Sequence, residues 1–179
     1  MKSALLVIDV QRALCEGEQA SHAALQTVAR INQAAGAARA AGAPVVYVQH
    51  ETASGLFARG SDTWQLAQGL APQALDHVIH KTTPDAFQNT GLKLLLDGLG
   101  VTDLVICGMQ TEFCVDTTTR RAAALGYPVV LLADAHSTND KPHLPAVDII
   151  RHHNHTLPNI TSFGPVIRAQ TTAELRFSA

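Results

Sequence analysis

Short apolar runs alternate with segments of helical periodicity along most of this chain. The apolar runs predict strands over residues 4–10, 44–49, 76–80, 102–107 and 127–133, with a weaker strand at 160–167. Apolar residues at helical spacing predict helices over residues 21–41, 90–99, 114–126 and 142–157. A polar, glycine-containing segment at 51–72 predicts a long loop between the second and third strands.

The predicted strands are apolar at consecutive positions, as in Leu5-Leu6-Val7-Ile8, rather than at every second position. This pattern is typical of a parallel sheet that helices cover on both faces. Because crossovers between parallel strands are right-handed, we expect an α/β fold in which a doubly wound sheet forms the middle of a three-layer αβα sandwich. In such folds a ligand binds beyond the carboxyl ends of the strands, where the strand order reverses.

Three residues that could carry chemistry follow predicted strands. Asp9 ends the first strand, Lys81 follows the third and Cys114 follows the fourth. A carboxylate in a buried strand is costly unless it is paired, so a structural role for Asp9 is the weaker interpretation. Lys81 by itself could be a solvated lysine, and Cys114 a small buried residue. We expect the three side chains to meet at one edge of the sheet.

Together these residues predict a nucleophilic site. The first turn of a helix and a neighbouring cation both favour thiolate, which makes Cys114 the candidate nucleophile and Lys81 the cation that lowers its pKa. Asp9 would act as a general base and then as a general acid. The backbone N–H groups of Gln110 and Cys114 are the candidate oxyanion hole.

Further residues could line a substrate pocket, although each has a structural alternative in the core or in a loop. The candidates are Gln11, His50, Trp64, Phe87 and Phe113, with His136 near the expected rim. Gln11 could instead orient Asp9. The neighbouring histidines His152, His153 and His155 predict a packed or solvated helix face rather than a metal site.

The composition predicts one globular domain over residues 1–179, with 46% hydrophobic and 16% charged residues. The net charge of -2, without a basic run, argues against nucleic acid or a membrane as partner. Asp9 interrupts the first apolar run too early for a signal peptide, so a cytoplasmic location is expected. Three cysteines do not predict a disulfide framework; Cys107 is expected to be inert core, and the role of Cys15 stays open.

The chain resembles the isochorismatase-like cysteine hydrolase superfamily. The matching segments are Ala-Leu-Leu-Val-Ile-Asp-Val-Gln at 4–11, Lys-Thr-Thr-Pro-Asp-Ala-Phe at 81–87 and Gly-Met-Gln-Thr-Glu-Phe-Cys-Val at 108–115, then Thr118, Arg120, Ala122, Gly126-Tyr127 and Asp134-Ala135. The resemblance implies a six-stranded parallel sheet of order 3-2-1-4-5-6 and an Asp9/Lys81/Cys114 triad. It also implies a homo-oligomer, either a dimer or a tetramer. Finally, it implies a non-proline cis peptide at Met109–Gln110, which would point the Gln110 N–H into the oxyanion hole.

Members of this superfamily hydrolyse nicotinamide, N-carbamoylsarcosine or the vinyl ether of isochorismate. Nicotinamidases carry an Asp-x-His metal site after the second strand, but the stretch here is Val48-Gln49-His50. True isochorismatases lack the catalytic cysteine. The resemblance therefore implies a cofactor-free, metal-independent hydrolase that cleaves a C–N bond of a small molecule through a thioester.

Two alternatives remain open at this stage. The first is a thiol-based redox or ligand-sensing protein on the same fold, which would need Cys15 or Cys107 to approach Cys114. The second is a binding protein without turnover, which an intact triad argues against because buried charges are costly to keep.

Overall fold

A parallel sheet of six strands in the order β3-β2-β1-β4-β5-β6 forms the centre of the computed structural model, which describes residues 2–177. The strands are β1 Ser3–Ile8, β2 Val45–His50, β3 His77–Lys81, β4 Asp103–Met109, β5 Val129–Ser137 and β6 Ile167–Gln170. The predicted doubly wound sheet and its strand order are confirmed.

Five α-helices flank the sheet in the described part of the chain. They are α1 Arg12–Cys15, α2 Ala24–Ala40, α3 Leu92–Gly98, α4 Asp116–Ala124 and α5 Ala146–Thr156. A π-helical turn, Thr111–Val115, precedes α4, and a 3₁₀ turn, Leu157–Asn159, follows α5. Between residues 2 and 177, no helix combines the length and apolar character needed to cross a membrane.

The sequence misplaced several local features, among them the end of β5, which lies at Ser137 rather than at residue 133. The last strand begins at Ile167 rather than at 160, because a turn around Gly164 at φ +93° intervenes. Helix α1 was not predicted, and it places Cys15 in a buried helical turn rather than in a loop. A helix of four residues is too short to show periodicity in the sequence.

The apolar strands are buried on both faces because consecutive side chains point to opposite sides of the sheet. In β1, Leu6 and Ile8 join a core that includes residues of α3 and α4. Leu5 and Val7 join a second core beneath α2. The two cores explain why the strand sequences lack a polar face.

Gly108 permits an unusually close approach of β4 to β1. It pairs with Ile8, and its φ is +119°. A Cβ at this position would lie 2.1 Å from the Ile8 carbonyl oxygen. Only glycine fits, because the backbone of the neighbouring strand cannot move aside without breaking the sheet. This contact lies where the strand order reverses, and it brings the carboxyl ends of β1 and β4 together.

We therefore expect Gly108→Ala to lower the free energy of unfolding by about 3 kcal/mol or more, because the new methyl group meets backbone atoms at a positive φ. Gly36→Ala is the matched control: Gly36 lies on the exposed side of α2 with no atom within 4 Å of an added Cβ. That change should raise the free energy of unfolding by about 0.5–1 kcal/mol. Urea unfolding of both variants measures the difference, and equal effects would contradict this account.

Candidate active site

The carboxyl ends of β1, β2 and β3 and the turn after β4 surround a small cavity of about 220 Å³. Its lining consists of Asp9, Leu14, His50, Phe57, Pro84, Gln110, Phe113 and Cys114. The cavity lies at the edge where the strand order reverses, the position expected for a ligand site in a doubly wound fold.

Lys81 contacts the other two predicted catalytic residues, Asp9 and Cys114. Its side chain is fully buried at the end of β3, and its Nζ donates hydrogen bonds to Asp9 Oδ2 at 2.7 Å and to Cys114 Sγ at 3.2 Å. The ammonium group also donates to the Thr83 carbonyl oxygen at 3.1 Å. The alternative of a solvated lysine is therefore wrong. The structure brings Asp9, Lys81 and Cys114 together as the sequence predicted.

Asp9 is held by its backbone immediately after β1. Its φ is +50°, its N–H donates to the Val48 carbonyl at 2.8 Å, and its carbonyl accepts from the Gln11 N–H. Aspartate is among the few residues that tolerate this conformation. One carboxylate oxygen, Oδ2, accepts from Lys81, whereas Oδ1 is buried without a hydrogen-bond partner within the described residues. Oδ1 is thus free to accept a proton inside the cavity.

Cys114 lies in the π-helical turn between β4 and α4, partly exposed to the cavity. Burial, followed by the negative charge of Asp9, raises the pKa of the thiol from 9.0 to about 12, although Lys81 acts in the opposite direction. Lys81 lowers this pKa, as predicted, but loss of solvation and the charge of Asp9 outweigh it, so the net shift is upward. At neutral pH the thiol therefore keeps its proton.

Gln110 lies in the tight turn between β4 and Cys114. The Met109–Gln110 peptide bond is cis, as the resemblance implied. The Gln110 carbonyl accepts hydrogen bonds from the N–H groups of Phe113 and Val115, and its side-chain amide donates to Asn139 Oδ1 at 2.8 Å. Gln110 therefore lies at a defined position in the cavity wall beside the sulfur.

Two of the predicted substrate-binding residues line the cavity. His50 Nδ1 lies 3.4 Å from Lys81 Nζ, and burial, followed by the positive charge of Lys81, lowers the pKa of His50. Its ring contacts Phe57 edge-on at 5.2 Å. Phe113 is half exposed, with the Lys141 ammonium 5.3 Å from the centre of its ring. A substrate-binding role for His50 and Phe113 stays a prediction.

The other three predicted substrate-binding residues are not among the described residues that line the cavity. Gln11 is fully buried, and its amide bonds to the backbone of His50 and to the Trp64 carbonyl. The Trp64 ring stacks on His80 at 5.6 Å, and Phe87 stacks on Tyr127 in the core. Their contacts fit structural roles, because each side chain already has partners within the protein.

The rest of the cavity wall was not predicted from the sequence. Leu14 lies in the unpredicted helix α1, and Phe57 lies in the long loop, where no periodicity identifies a wall residue. Pro84 follows Lys81 in the matching segment but was not singled out. His136, expected near the rim, is buried instead and bonds to Thr111 and Asn154.

The remaining cysteines and histidines lie apart from this chemistry. Cys15 is buried and donates to Met109 Sδ at 3.5 Å, and burial raises its pKa to about 12. Cys107 is buried within β4, where loss of solvation also raises the pKa of its thiol. Within residues 2–177, no cluster of three or more His, Cys, Asp or Glu side chains is placed to hold a metal ion.

Known proteins are similar to this chain over most of its length. A streptothricin hydrolase of Streptomyces noursei is 43% identical over 145 residues, which is 80% of this chain and 52% of that protein. The chain therefore spans about half the length of this relative. A ureidoacrylate amidohydrolase of Pseudomonas syringae pv. syringae is 30% identical over 171 residues, covering 75% of this chain and 70% of that protein.

A solved structure of an isochorismatase family protein superposes with a TM-score of 0.86 at 38% identity, covering 94% of this chain and 98% of that one. The isochorismatase domain family matches residues 3–170, which include every strand of the sheet and the residues Asp9, Lys81 and Cys114. The resemblance found in the sequence motifs is thereby confirmed, and this chain belongs to the isochorismatase family.

Proposed function

We propose that this protein is a cysteine hydrolase that cleaves a C–N bond of a small amide or carbamoyl compound through a thioester. One observation carries the proposal: Lys81 Nζ bridges Asp9 Oδ2 and Cys114 Sγ while Asp9 Oδ1 has no hydrogen-bond partner in the described chain. Relatives whose names denote a hydrolase of streptothricin and an amidohydrolase of ureidoacrylate support the amide as substrate class.

The first half of the reaction forms the thioester. Asp9 Oδ1 takes the proton of the Cys114 thiol as the sulfur attacks the carbonyl carbon, since the thiol is protonated at neutral pH. Backbone N–H groups of Gln110 and Cys114 would stabilise the oxyanion. Asp9 then gives its proton to the departing nitrogen, the C–N bond breaks, and an amine or ammonia leaves.

The second half restores the enzyme. Water attacks the thioester carbonyl while Asp9 accepts a proton from it. The C–S bond breaks, the carboxylic acid is released and the proton returns to the sulfur. Throughout both halves, Lys81 would hold the carboxylate and the sulfur in position, because its ammonium contacts both.

The metal-independent form of the reaction is part of the proposal. Val48 stands where the resemblance would require the aspartate of a metal site, and its side chain is buried in the core and apolar. The redox-sensing alternative has less support, because Cys15 is buried against Met109 and Cys107 donates to the Leu6 carbonyl. The homo-oligomer and the cytoplasmic location remain predictions.

Cys114→Ala should abolish turnover while leaving the fold intact, because the side chain is partly exposed and its removal costs little packing. Release of amine or ammonia from a panel of small amides, including ureidoacrylate and streptothricin, measures turnover. A thioester adduct on Cys114, trapped by rapid acid quench and seen by mass spectrometry, should appear in the wild type and in Cys15→Ala, and no adduct should form in Cys114→Ala. Cys15→Ala is the matched control and should still turn over; retained turnover in Cys114→Ala would sink the proposal.

Asp9→Asn should change turnover and thiol reactivity in opposite directions. Turnover falls by about 10²–10⁴-fold, because the base is lost. Alkylation of Cys114 by iodoacetamide becomes faster at mildly alkaline pH, because the carboxylate charge that raises the thiol pKa is gone and this pKa moves back toward 9.0. Peptide-resolved mass spectrometry across pH follows the alkylation.

The control for Asp9→Asn is Asp97→Asn, since Asp97 is half exposed and pairs with Lys93. It should change neither turnover nor alkylation of Cys114. Thermal unfolding of both variants checks that the fold stays stable, because Asp9→Asn removes the carboxylate partner of the buried Lys81. Slower alkylation in Asp9→Asn would contradict the account in which the Asp9 charge raises the thiol pKa, and unchanged turnover would contradict the role of Asp9 as the base.

A further inference from the structure

We propose that His136 is a positioning residue that acts through Thr111 to hold the turn carrying Cys114, so that it sets the rate of acylation rather than the strength of substrate binding. The inference rests on the proposed function, because it assigns a task within the same reaction. His136 is not among the described residues that line the cavity. Its effect on the reaction must therefore pass through its hydrogen-bond partners.

A buried chain of hydrogen bonds connects α5 to the nucleophile turn. Thr111 Oγ1 lies 2.8 Å from His136 Nδ1, and His136 Nε2 lies 2.9 Å from Asn154 Oδ1. The Asn154 amide donates to the Ala133 carbonyl at 2.8 Å. Thr111 is fully buried and His136 is 2% exposed, so water cannot replace these bonds.

The hydrogen-bond partners determine which atom carries each proton in this series of hydrogen bonds. Because the Asn154 NH₂ group donates to Ala133, its oxygen faces His136 and must accept from Nε2–H. Burial lowers the pKa of His136 to about 4, so the ring is neutral at neutral pH and Nδ1 is an acceptor. The Thr111 hydroxyl therefore donates to Nδ1, which gives a one-directional chain from Thr111 to Ala133.

An irregularity in β5 places His136 where this chain needs it. Ile106 pairs with Leu131, but Gly108 pairs with His136, so β5 contains extra residues between the two pairs. In a regular register Gly108 would face position 133 instead. The irregularity brings the imidazole beside the end of β4. In the same segment, Asp134 Oδ1 accepts hydrogen bonds from the N–H and the hydroxyl of Thr172.

Thr111 is the first residue of the π-helical turn Thr111–Val115, and two residues separate it from Cys114. A displacement of this turn would move the sulfur relative to Asp9 Oδ1 and Lys81 Nζ. Small displacements of reacting atoms reduce rates strongly, whereas they affect the binding of a substrate in the open part of the cavity less. A histidine that only filled the core would have no such selective effect.

Two substitutions test the two hydrogen bonds of the imidazole separately. His136→Asn keeps an acceptor at the place of Nδ1 and can still bond to Thr111, whereas His136→Gln keeps a donor at the place of Nε2 and can still bond to Asn154. Each variant loses one of the two bonds, so a purely structural role predicts equal effects. Thr111→Val removes the same hydroxyl bond with almost no change in volume.

The experiment measures kcat and KM on the best amide, and the rate of Cys114 alkylation at one pH. Thr111→Val and His136→Gln should lower kcat about tenfold or more with a smaller change in KM, and should alter alkylation, while His136→Asn retains more of both. The double variant Thr111→Val/His136→Gln should be no slower than Thr111→Val alone. His155→Gln, on the exposed side of α5, is the control and should match the wild type.

Equal losses in His136→Asn and His136→Gln, or an unchanged kcat in Thr111→Val, would overturn the positioning role. If the histidine variants do not fold, Thr111→Val alone decides the question. A wild type that hydrolyses no amide would contradict the proposed function, and the pattern of alkylation rates would still test the positioning role separately.

Discussion

The buried ion pair between Lys81 and Asp9 is the interaction on which the rest of the site depends. Removing two charges from water costs several kcal/mol for each ion, and only close pairing with further hydrogen bonds offsets that cost. Here the ammonium contacts the carboxylate at 2.7 Å, and it also donates to a backbone carbonyl and to Cys114. Both charges are almost fully excluded from solvent. The Cys114 sulfur beside them therefore lies in a poorly solvated, charged environment, which determines whether the thiol is protonated.

That environment keeps the Cys114 side chain a protonated thiol rather than a thiolate. Loss of solvation, together with the charge of Asp9, raises the thiol pKa more than Lys81 lowers it. A protonated thiol is protected from adventitious alkylation and oxidation, since the thiolate is the reactive form. In the proposed reaction the sulfur becomes reactive only when a carbonyl is in place and Asp9 can take the proton, which would couple activation of Cys114 to the presence of substrate.

The backbone brings these groups together by close contact between strands. Gly108 allows the ends of β4 and β1 to approach until no Cβ would fit, and this places the turn carrying Cys114 beside Asp9. The irregular register of β5 then brings His136 alongside Gly108. Polar side chains buried behind the turn satisfy one another by hydrogen bonds, so the site is supported from the sheet as well as from the cavity.

The sequence by itself determined the fold class, because consecutive apolar runs require a sheet buried on both faces. It also indicated that Asp9, Lys81 and Cys114 lie close together, because the strand ends of such a sheet meet at one edge. Only the tertiary structure decided the thiol pKa and the cavity wall, including Phe57. Both depend on how much water the packed loop and helices exclude, and burial by residues distant in the chain leaves no local pattern in the sequence.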